Sequence, residues 1–181
     1  MKLFKILILL ISYFCIFSNA NALCKFKLNI GDDVSLFEKE FNLMPHRVFI
    51  DQKIARLPAI PLCPGEGLEG YFVEYNFIED ELLTIKLIAQ NDKKNTVSNK
   101  LGLYKYVERN YGSFNNSNEN PVSWNDFVSW DDNKNLTIYK RLFNKQTGMI
   151  DEELYMTTIE ADEKLLQFEM NKELKISGIN Q

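Results

Sequence analysis

The stretch that decides the fold is residues 71–89, YFVEYNFIEDELLTIKLIA. In each half of this stretch apolar side chains recur at every second position, namely Tyr71, Val73, Tyr75 and Phe77, then Leu83, Ile85, Leu87 and Ala89. Successive side chains of a strand point to opposite faces, so this period predicts two strands that each bury one face. The acidic residues 79–81 interrupt the pattern and predict a turn, and we therefore expect a β-hairpin.

A short helix and a proline-rich loop precede the hairpin. The apolar positions of the helix recur at helical spacing and are Val34, Phe37 and Phe41. Ser35 and Glu38 have the spacing of a capping box, and Pro45 prevents further extension of the helix. We expect a short strand at residues 47–51. Residues 57–70 hold three of the five prolines and three of the eight glycines, so they are predicted to form a loop.

The second half of the chain repeats this order after a polar linker at residues 91–99. A second helix is predicted to end at Gly112, and three strands follow it, at residues 127–130, 136–143 and 154–159. A final helix over residues 161–174 would carry its apolar stripe at Leu166, Met170 and Leu174. The predicted class is α+β, with short helices packed behind an antiparallel sheet and a helix at the C-terminus.

The repeated order allows two tandem helix-plus-hairpin units, residues 23–99 and 100–181, which share one surface or form a single domain. The residue identities between the halves are weak, and chance similarity remains the alternative.

Residues 1–22 have the features of a cleavable export signal. Lys2 and Lys5 give a positive start, residues 6–17 are mostly apolar, and Ala20-Asn21-Ala22 is a small-x-small cleavage pattern. The apolar run is shorter than the roughly 20 residues that cross a bilayer, so no stable membrane span is expected after cleavage. Loss of the two lysines changes the net charge from -4 to -6. We expect an extracytoplasmic protein, periplasmic in a Gram-negative cell and otherwise secreted.

Two cysteines remain after cleavage, because Cys15 leaves with the signal. An even pair in an oxidising compartment predicts a disulfide between Cys24 and Cys63, which would stabilise the fold by about 4 kcal/mol on the chain-entropy model. A lipid anchor on Cys24 is the alternative, but Leu23 stands where the acylation sequence has a small residue.

The inventory of reactive groups does not predict an enzyme. His46 is the only histidine, and the chain has no nucleophile elbow, phosphate-binding loop or zinc motif, so we predict no cofactor, metal or catalytic residue. The acidic residues 79–81 and 151–153 are assigned to solvated turns. An acidic chain without a basic stripe repels phosphate backbones, which excludes nucleic acid as the expected partner.

The proline-rich loop is the candidate partner-binding segment, and its candidate residues are Ile60, Pro61, Leu62, Pro64 and Leu68. Prolines restrict the backbone and so reduce the entropy lost on binding. The alternative is that these side chains cover the end of the core. A set of aromatic residues allows the same two interpretations, an exposed patch on an open sheet or a core: Tyr71, Tyr75, Trp124, Trp130 and Tyr139.

Short sequence features give a resemblance to small exported bacterial proteins. The second half has Tyr111-Gly112 at the end of a helix, Trp130 on a strand, and the alternating residues 136–139. The first half, with Ile30-Gly31, a short helix, Pro45 and a hairpin, is similar to the small subunit of the outer-membrane β-barrel assembly machinery and to the tandem-repeat β-lactamase inhibitor proteins. The resemblance implies a protein that acts by binding other proteins, and it carries over no functional residues.

These observations lead to three hypotheses of function. The first is a noncovalent protein-binding module of the cell envelope. The second is an inhibitor of a secreted or envelope enzyme that presents the proline-rich loop to its target. The third is a hydrolase that uses carboxylates gathered from separate strands. The identity of the partner and the oligomeric state are left open.

Overall fold

A single antiparallel sheet of seven strands organises the computed structural model, which describes residues 23–89, 101–115, 120–144, 146 and 148–178. The predicted signal and the linker at residues 91–99 lie outside the described residues. The strands, in the spatial order β1-β2-β3-β4-β7-β6-β5, are β1 His46–Phe49, β2 Gln52–Pro58, β3 Tyr71–Ile78, β4 Glu81–Ala89, β5 Asp126–Asp131, β6 Asn135–Asn144 and β7 Met149–Thr158. The helices are α1 Val34–Phe41, α2 Gly102–Tyr111 and α3 Ile159–Ile176. The α+β class and the C-terminal helix are thereby confirmed.

The central hairpin forms as its alternating pattern predicts. β3 and β4 pair in antiparallel register, with Val73 opposite Leu87 and Tyr75 opposite Ile85. Asn76 pairs with Thr84 but Phe77 pairs with Leu82, so β4 contains one extra residue at this point. The prediction that Leu83 shares a face with Ile85 is therefore wrong, because a bulge redirects the side chains on either side of it.

The strand β2 is the element that the sequence pattern did not predict. It includes Leu57 and Pro58, which were assigned to the loop, and it pairs with β3 over seven residues. Its inner positions hold Lys53, the small Ala55 and the half-buried Leu57, and its outer positions include Ile54 and Arg56. A strand of this composition has no apolar alternation to reveal it.

The two faces of the sheet carry different helices. On the face that we call inner, the ring centroid of Phe37 in α1 lies 5.2 Å from that of Tyr75. On the same face, the ring centroid of Tyr104 in α2 lies 6.4 Å from that of Tyr139. On the opposite, outer face, α3 packs with Ile78 and Leu83 and places Phe168 6.3 Å from Phe49. The expectation that all helices lie behind one face is wrong for α3.

The apolar stripe predicted for α3 points to solvent. Its three members are exposed, and the helix instead contacts the sheet through Ala161, Leu165 and Phe168. Thr158 is the N-cap of the helix, and its hydroxyl accepts a hydrogen bond from the Ala161 N–H at 3.2 Å. The chain thus enters α3 directly from β7, and that entry fixes which side of the helix meets the sheet.

The ends of the first two helices test the capping predictions. Asp33, rather than the proposed Ser35 and Glu38 box, caps α1, and its carboxylate accepts the Ser35 N–H at 2.9 Å. Gly112 ends α2 as predicted, at a φ of 94° that favours glycine. The pairing of β4 with β7 makes the sheet continuous between the two proposed units, whose boundary stays a prediction.

Substitution of Gly102 by Ala is expected to destabilise the protein, although alanine favours helices. A Cβ at this first residue of α2 would meet the carbonyl oxygen of Gly67 and the ring of Tyr71. Overpacking against backbone of this kind costs about 1–3 kcal/mol, measurable as a lower midpoint of urea denaturation. The exposed Lys105 of the same helix is the control, since its replacement by Ala should leave the midpoint unchanged. An unchanged midpoint for Gly102→Ala would contradict the close approach.

Candidate functional site

A charged cluster lies inside the protein between the inner face of the sheet and α2. The Nη1 atom of Arg141 donates to Glu152 Oε1 at 2.8 Å, and both side chains are almost completely buried. Tyr139 donates to the same oxygen at 2.6 Å, and Tyr71 donates to Oε2 at 3.0 Å. The Tyr71 hydroxyl in turn accepts the backbone N–H of Leu103 at 3.2 Å. The cluster therefore connects β3, β6, β7 and the start of α2.

The electrostatics of this cluster favour a structural role. Burial raises the pKa of Glu152 above its ordinary value, while Arg141 and the two tyrosine donors oppose the shift. Burial also raises the pKa of Tyr71 and Tyr139, so both hydroxyls stay protonated and can donate. A buried carboxylate is tolerated only when it is paired and hydrogen-bonded, and Glu152 meets both conditions.

Sequence analysis missed both charges of the pair. It placed residues 151–153 in a turn, which is wrong, since they lie inside β7. The signal was present in the spacing: Arg141 follows Tyr139 by two positions, and Glu152 precedes Leu154 by two. Both pairs of residues share the inner face, where Tyr139 pairs with Leu154 and Arg141 pairs with Glu152. A charge in phase with buried apolar residues marks a buried charge.

A cavity of about 410 Å³ lies beside the cluster. Its wall includes Trp124, Phe143 and Ile150 together with Arg141. Trp124 stacks on Tyr139 with 5.3 Å between the ring centroids and 6° between the planes, which shields the cluster from water. The volume is within the range of small-ligand pockets, and the lining is suited to an apolar group.

The proline-rich loop divides into exposed and buried residues. Ile60 is 51% exposed, and Pro61 and Pro64 are also on the surface. Leu62 is only 5% exposed and Leu68 is 1% exposed, so both belong to the core. Any contact of this loop with a partner therefore has to come from its exposed residues.

Several bonds hold the proline-rich loop in place. The predicted disulfide between Cys24 and Cys63 is confirmed, and the Lys25 N–H donates to the Leu62 carbonyl at 2.7 Å. The buried carboxylate of Glu66 pairs with Arg109 of α2. The loop is thus attached to both the N-terminal segment and a helix, which limits its motion.

The remaining candidates from the sequence are His46 and the aromatic set. His46 is exposed at the start of β1. Most of the aromatic set is buried in the core, with Trp130 half-buried, so these residues do not form an exposed patch. Across the described ranges, no three His, Cys, Asp or Glu side chains are grouped so that they could hold a metal ion.

The outer face carries a row of alternating charges that we call the charge ladder. It crosses β2, β3, β4, β7 and β6 and consists of Arg56, Glu74, Lys86, Glu153, Lys140 and Asp151. Arg56 Nε lies 2.6 Å from Glu74 Oε2, and Lys140 Nζ lies 3.0 Å from Asp151 and 3.2 Å from Glu153. Lys86 Nζ is 4.0 Å from Glu153. The ladder gives this face a polar surface along its middle.

Three apolar side chains surround the Lys140 end of the ladder. Phe127 lies opposite Lys140, and Ile138 and Leu142 are the next outward residues on β6. Phe127 is 65% exposed, Leu142 is exposed and Ile138 is half-buried. We call these three residues the outer patch. α3 contacts β4 and β7 and reaches Phe49 of β1, so it leaves the patch uncovered.

No helix among the described residues is long and apolar enough to cross a membrane. Comparisons with protein-family models, curated proteins and solved structures gave no match to this chain. The resemblance to small exported binding proteins therefore stays a prediction.

Replacement of Glu152 by Ala is expected to lower the free energy of unfolding by about 3–5 kcal/mol, because it leaves the buried Arg141 without its carboxylate. The double variant Arg141→Met/Glu152→Leu should recover most of this loss, since apolar side chains of similar volume remove both charges. Urea denaturation of each variant is the measurement.

The neighbouring residue provides the control for this prediction. Glu153 lies on the same strand but on the outer face, where its ion pairs are partly exposed and worth about 1 kcal/mol or less. A Glu152→Ala variant no less stable than Glu153→Ala would show that the inner pair does not hold the cluster together.

Proposed function

We propose that the chain is a noncovalent protein-binding module of the cell envelope, and that it holds its partner against the outer patch. The observation that carries this proposal is the exposure of Phe127 and Leu142 on a sheet face that α3 leaves uncovered. Apolar and aromatic side chains beside a charged residue are the usual centre and rim of a protein interface.

The location that we propose is extracytoplasmic, periplasmic in a Gram-negative cell and otherwise secreted. The disulfide between Cys24 and Cys63 supports an oxidising compartment, and the export signal predicted at residues 1–22 provides the route.

The outer patch offers one rigid surface rather than a flexible one. Its residues lie on β5 and β6, which pair over six residues. Lys140 at its centre is held by Asp151 and Glu153, so its charge has a fixed position. A preorganised surface loses little entropy when it binds, and the exposed Phe127 and Leu142 favour a partner that presents apolar side chains.

A photo-crosslinking amino acid at Leu142 is expected to capture this partner in the native cells. The adduct should contain a different protein and should be absent when the same amino acid replaces Leu166, which is 61% exposed on α3, a helix that leaves the patch uncovered. Mass spectrometry of the adducts is the measurement. Equal labelling from both positions, or no adduct with another protein from Leu142, would contradict the proposal.

A second candidate function is inhibition of a secreted or envelope enzyme. It is favoured by Ile60, a half-exposed apolar side chain on a loop that the disulfide and Glu66 hold in place. Rigid loops of this kind reduce the entropy lost on binding to a cleft. The hydrolase hypothesis from the sequence gains no comparable support, because Glu152 is engaged by Arg141 and two tyrosines.

The inhibitor function predicts that the purified protein slows at least one enzyme in a panel of secreted hydrolases. The Ile60→Ser variant should lose this inhibition with an unchanged melting temperature, because the side chain is exposed. Leu62→Ser is the matched comparison and should lower stability by about 2–5 kcal/mol, since Leu62 is buried. A panel that is unaffected by the wild-type protein would reject inhibition of those enzymes.

A further inference from the structure

The two edges of the sheet are open among the described residues. β1 pairs with β2 alone and β5 pairs with β6 alone, so each presents unpaired backbone groups along the edge that faces away from its neighbouring strand. Such an edge is a template for another strand, and proteins usually block it with charges or bulges.

The strand β1 carries one charged residue, the exposed Arg47. His46 and Arg47 are exposed, and Arg47 forms no ion pair with a described residue. Apolar side chains flank them, with Met44 73% exposed and Val48 53% exposed. A cavity of about 300 Å³ lies over the β1–β2 pair, with Met44, Val48 and Ile54 in its wall.

The β5 edge is negatively charged. Asp126 and Asp131 stand at its two ends and are exposed. Their carboxylates accept the backbone N–H groups of Phe127 and Asn133, and they take part in no ion pair with a described residue. The cations of the adjacent strand are engaged elsewhere, Lys140 with Asp151 and Arg141 with Glu152.

We propose that copies of this chain associate head to tail, with β1 of one copy added to β5 of the next. Pairing of two β1 edges would oppose Arg47 with its own copy, and pairing of two β5 edges would oppose aspartates, whereas β1 with β5 joins opposite charges.

The geometry sets the form of the assembly. The contact joins two different surfaces, so it is heterologous and repeats into a ring or a filament rather than stopping at two copies. β1 contributes four residues and contains a bulge between Arg47 and Phe49, which limits the added ladder to a short one. This inference is argued separately from the proposed partner, because it concerns the backbone edge of β5, whereas the outer patch is formed by side chains on the face of β5 and β6.

Complementary charge reversal tests the proposal by sedimentation velocity of the oxidised protein over a range of concentrations at low ionic strength. The wild type should associate, and more weakly as salt is raised. Arg47→Glu makes both edges acidic, and Asp126→Lys/Asp131→Lys makes both edges basic. Each variant alone should associate at least about tenfold more weakly than the wild type, because like charges then meet.

An equimolar mixture of the two variants should recover association, since an acidic edge of one then meets a basic edge of the other. Lys105→Glu on α2 is the control with a similar change of net charge, and it should associate like the wild type. Circular dichroism establishes that each variant is folded. If a reversal variant fails to fold, Arg47→Gln and Asp126→Asn/Asp131→Asn replace the pair, and each should weaken association.

Any one of several results would overturn the proposal. They are a wild type that stays monomeric at every concentration, variants that associate as strongly as the wild type, a mixture of folded reversal variants that shows no recovery, and an association that ends at a dimer. A loss of association in Lys105→Glu equal to that in Arg47→Glu would also overturn it, because net charge rather than the edges would then be responsible.

Discussion

A guanidinium and a carboxylate lie almost entirely out of water at the centre of this protein, and each is stable there only because the other is present. Their bonds are directional, and with Tyr71 and Tyr139 they connect three strands to the start of α2. The aromatic packing around them depends on the same arrangement, because Trp124 stacks on the tyrosine that donates to Glu152. An apolar core could tolerate small shifts of these elements, whereas the charged cluster fixes their relative positions.

The two faces of the sheet differ in role: the inner face forms the core, and the outer face is largely exposed. The inner face holds the charged cluster, the aromatic rings and the helices α1 and α2, and it accounts for most of the buried residues. Within the part of the chain that the structure describes, α3 is the only helix on the outer face, and it leaves the outer patch and the two edges exposed. The disulfide belongs to the inner side, where it fastens the proline-rich loop to the N-terminal segment. Stability and binding can therefore change separately, since substitutions on the outer face touch few core contacts.

Sequence periodicity predicted the elements whose burial is regular, such as β3, β4, α1 and α2. It failed where a local irregularity or a tertiary contact determines which side chains are buried. The bulge at Leu83 cannot be predicted from alternating residues. The strand β2 lacks apolar alternation because Lys53 occupies an inner position and Ile54 an outer one. The exposed stripe of α3 follows from its direct connection to β7, which sequence spacing does not contain. The disulfide was predictable from composition and compartment, but Arg141 and Glu152 required knowledge of which positions share the inner face.

The charge ladder also disfavours conformations in which a strand pairs in the wrong register. Each of its charges alternates along its strand with a side chain of the inner face, as Glu74 does with Val73 and Tyr75. A strand that slipped by one residue would turn its ladder charge toward the aromatic rings and expose a core residue in its place. An unpaired buried charge costs far more free energy than a lost surface ion pair. The ladder therefore penalises misregistered intermediates during folding, a benefit that is much larger than its contribution to the finished structure.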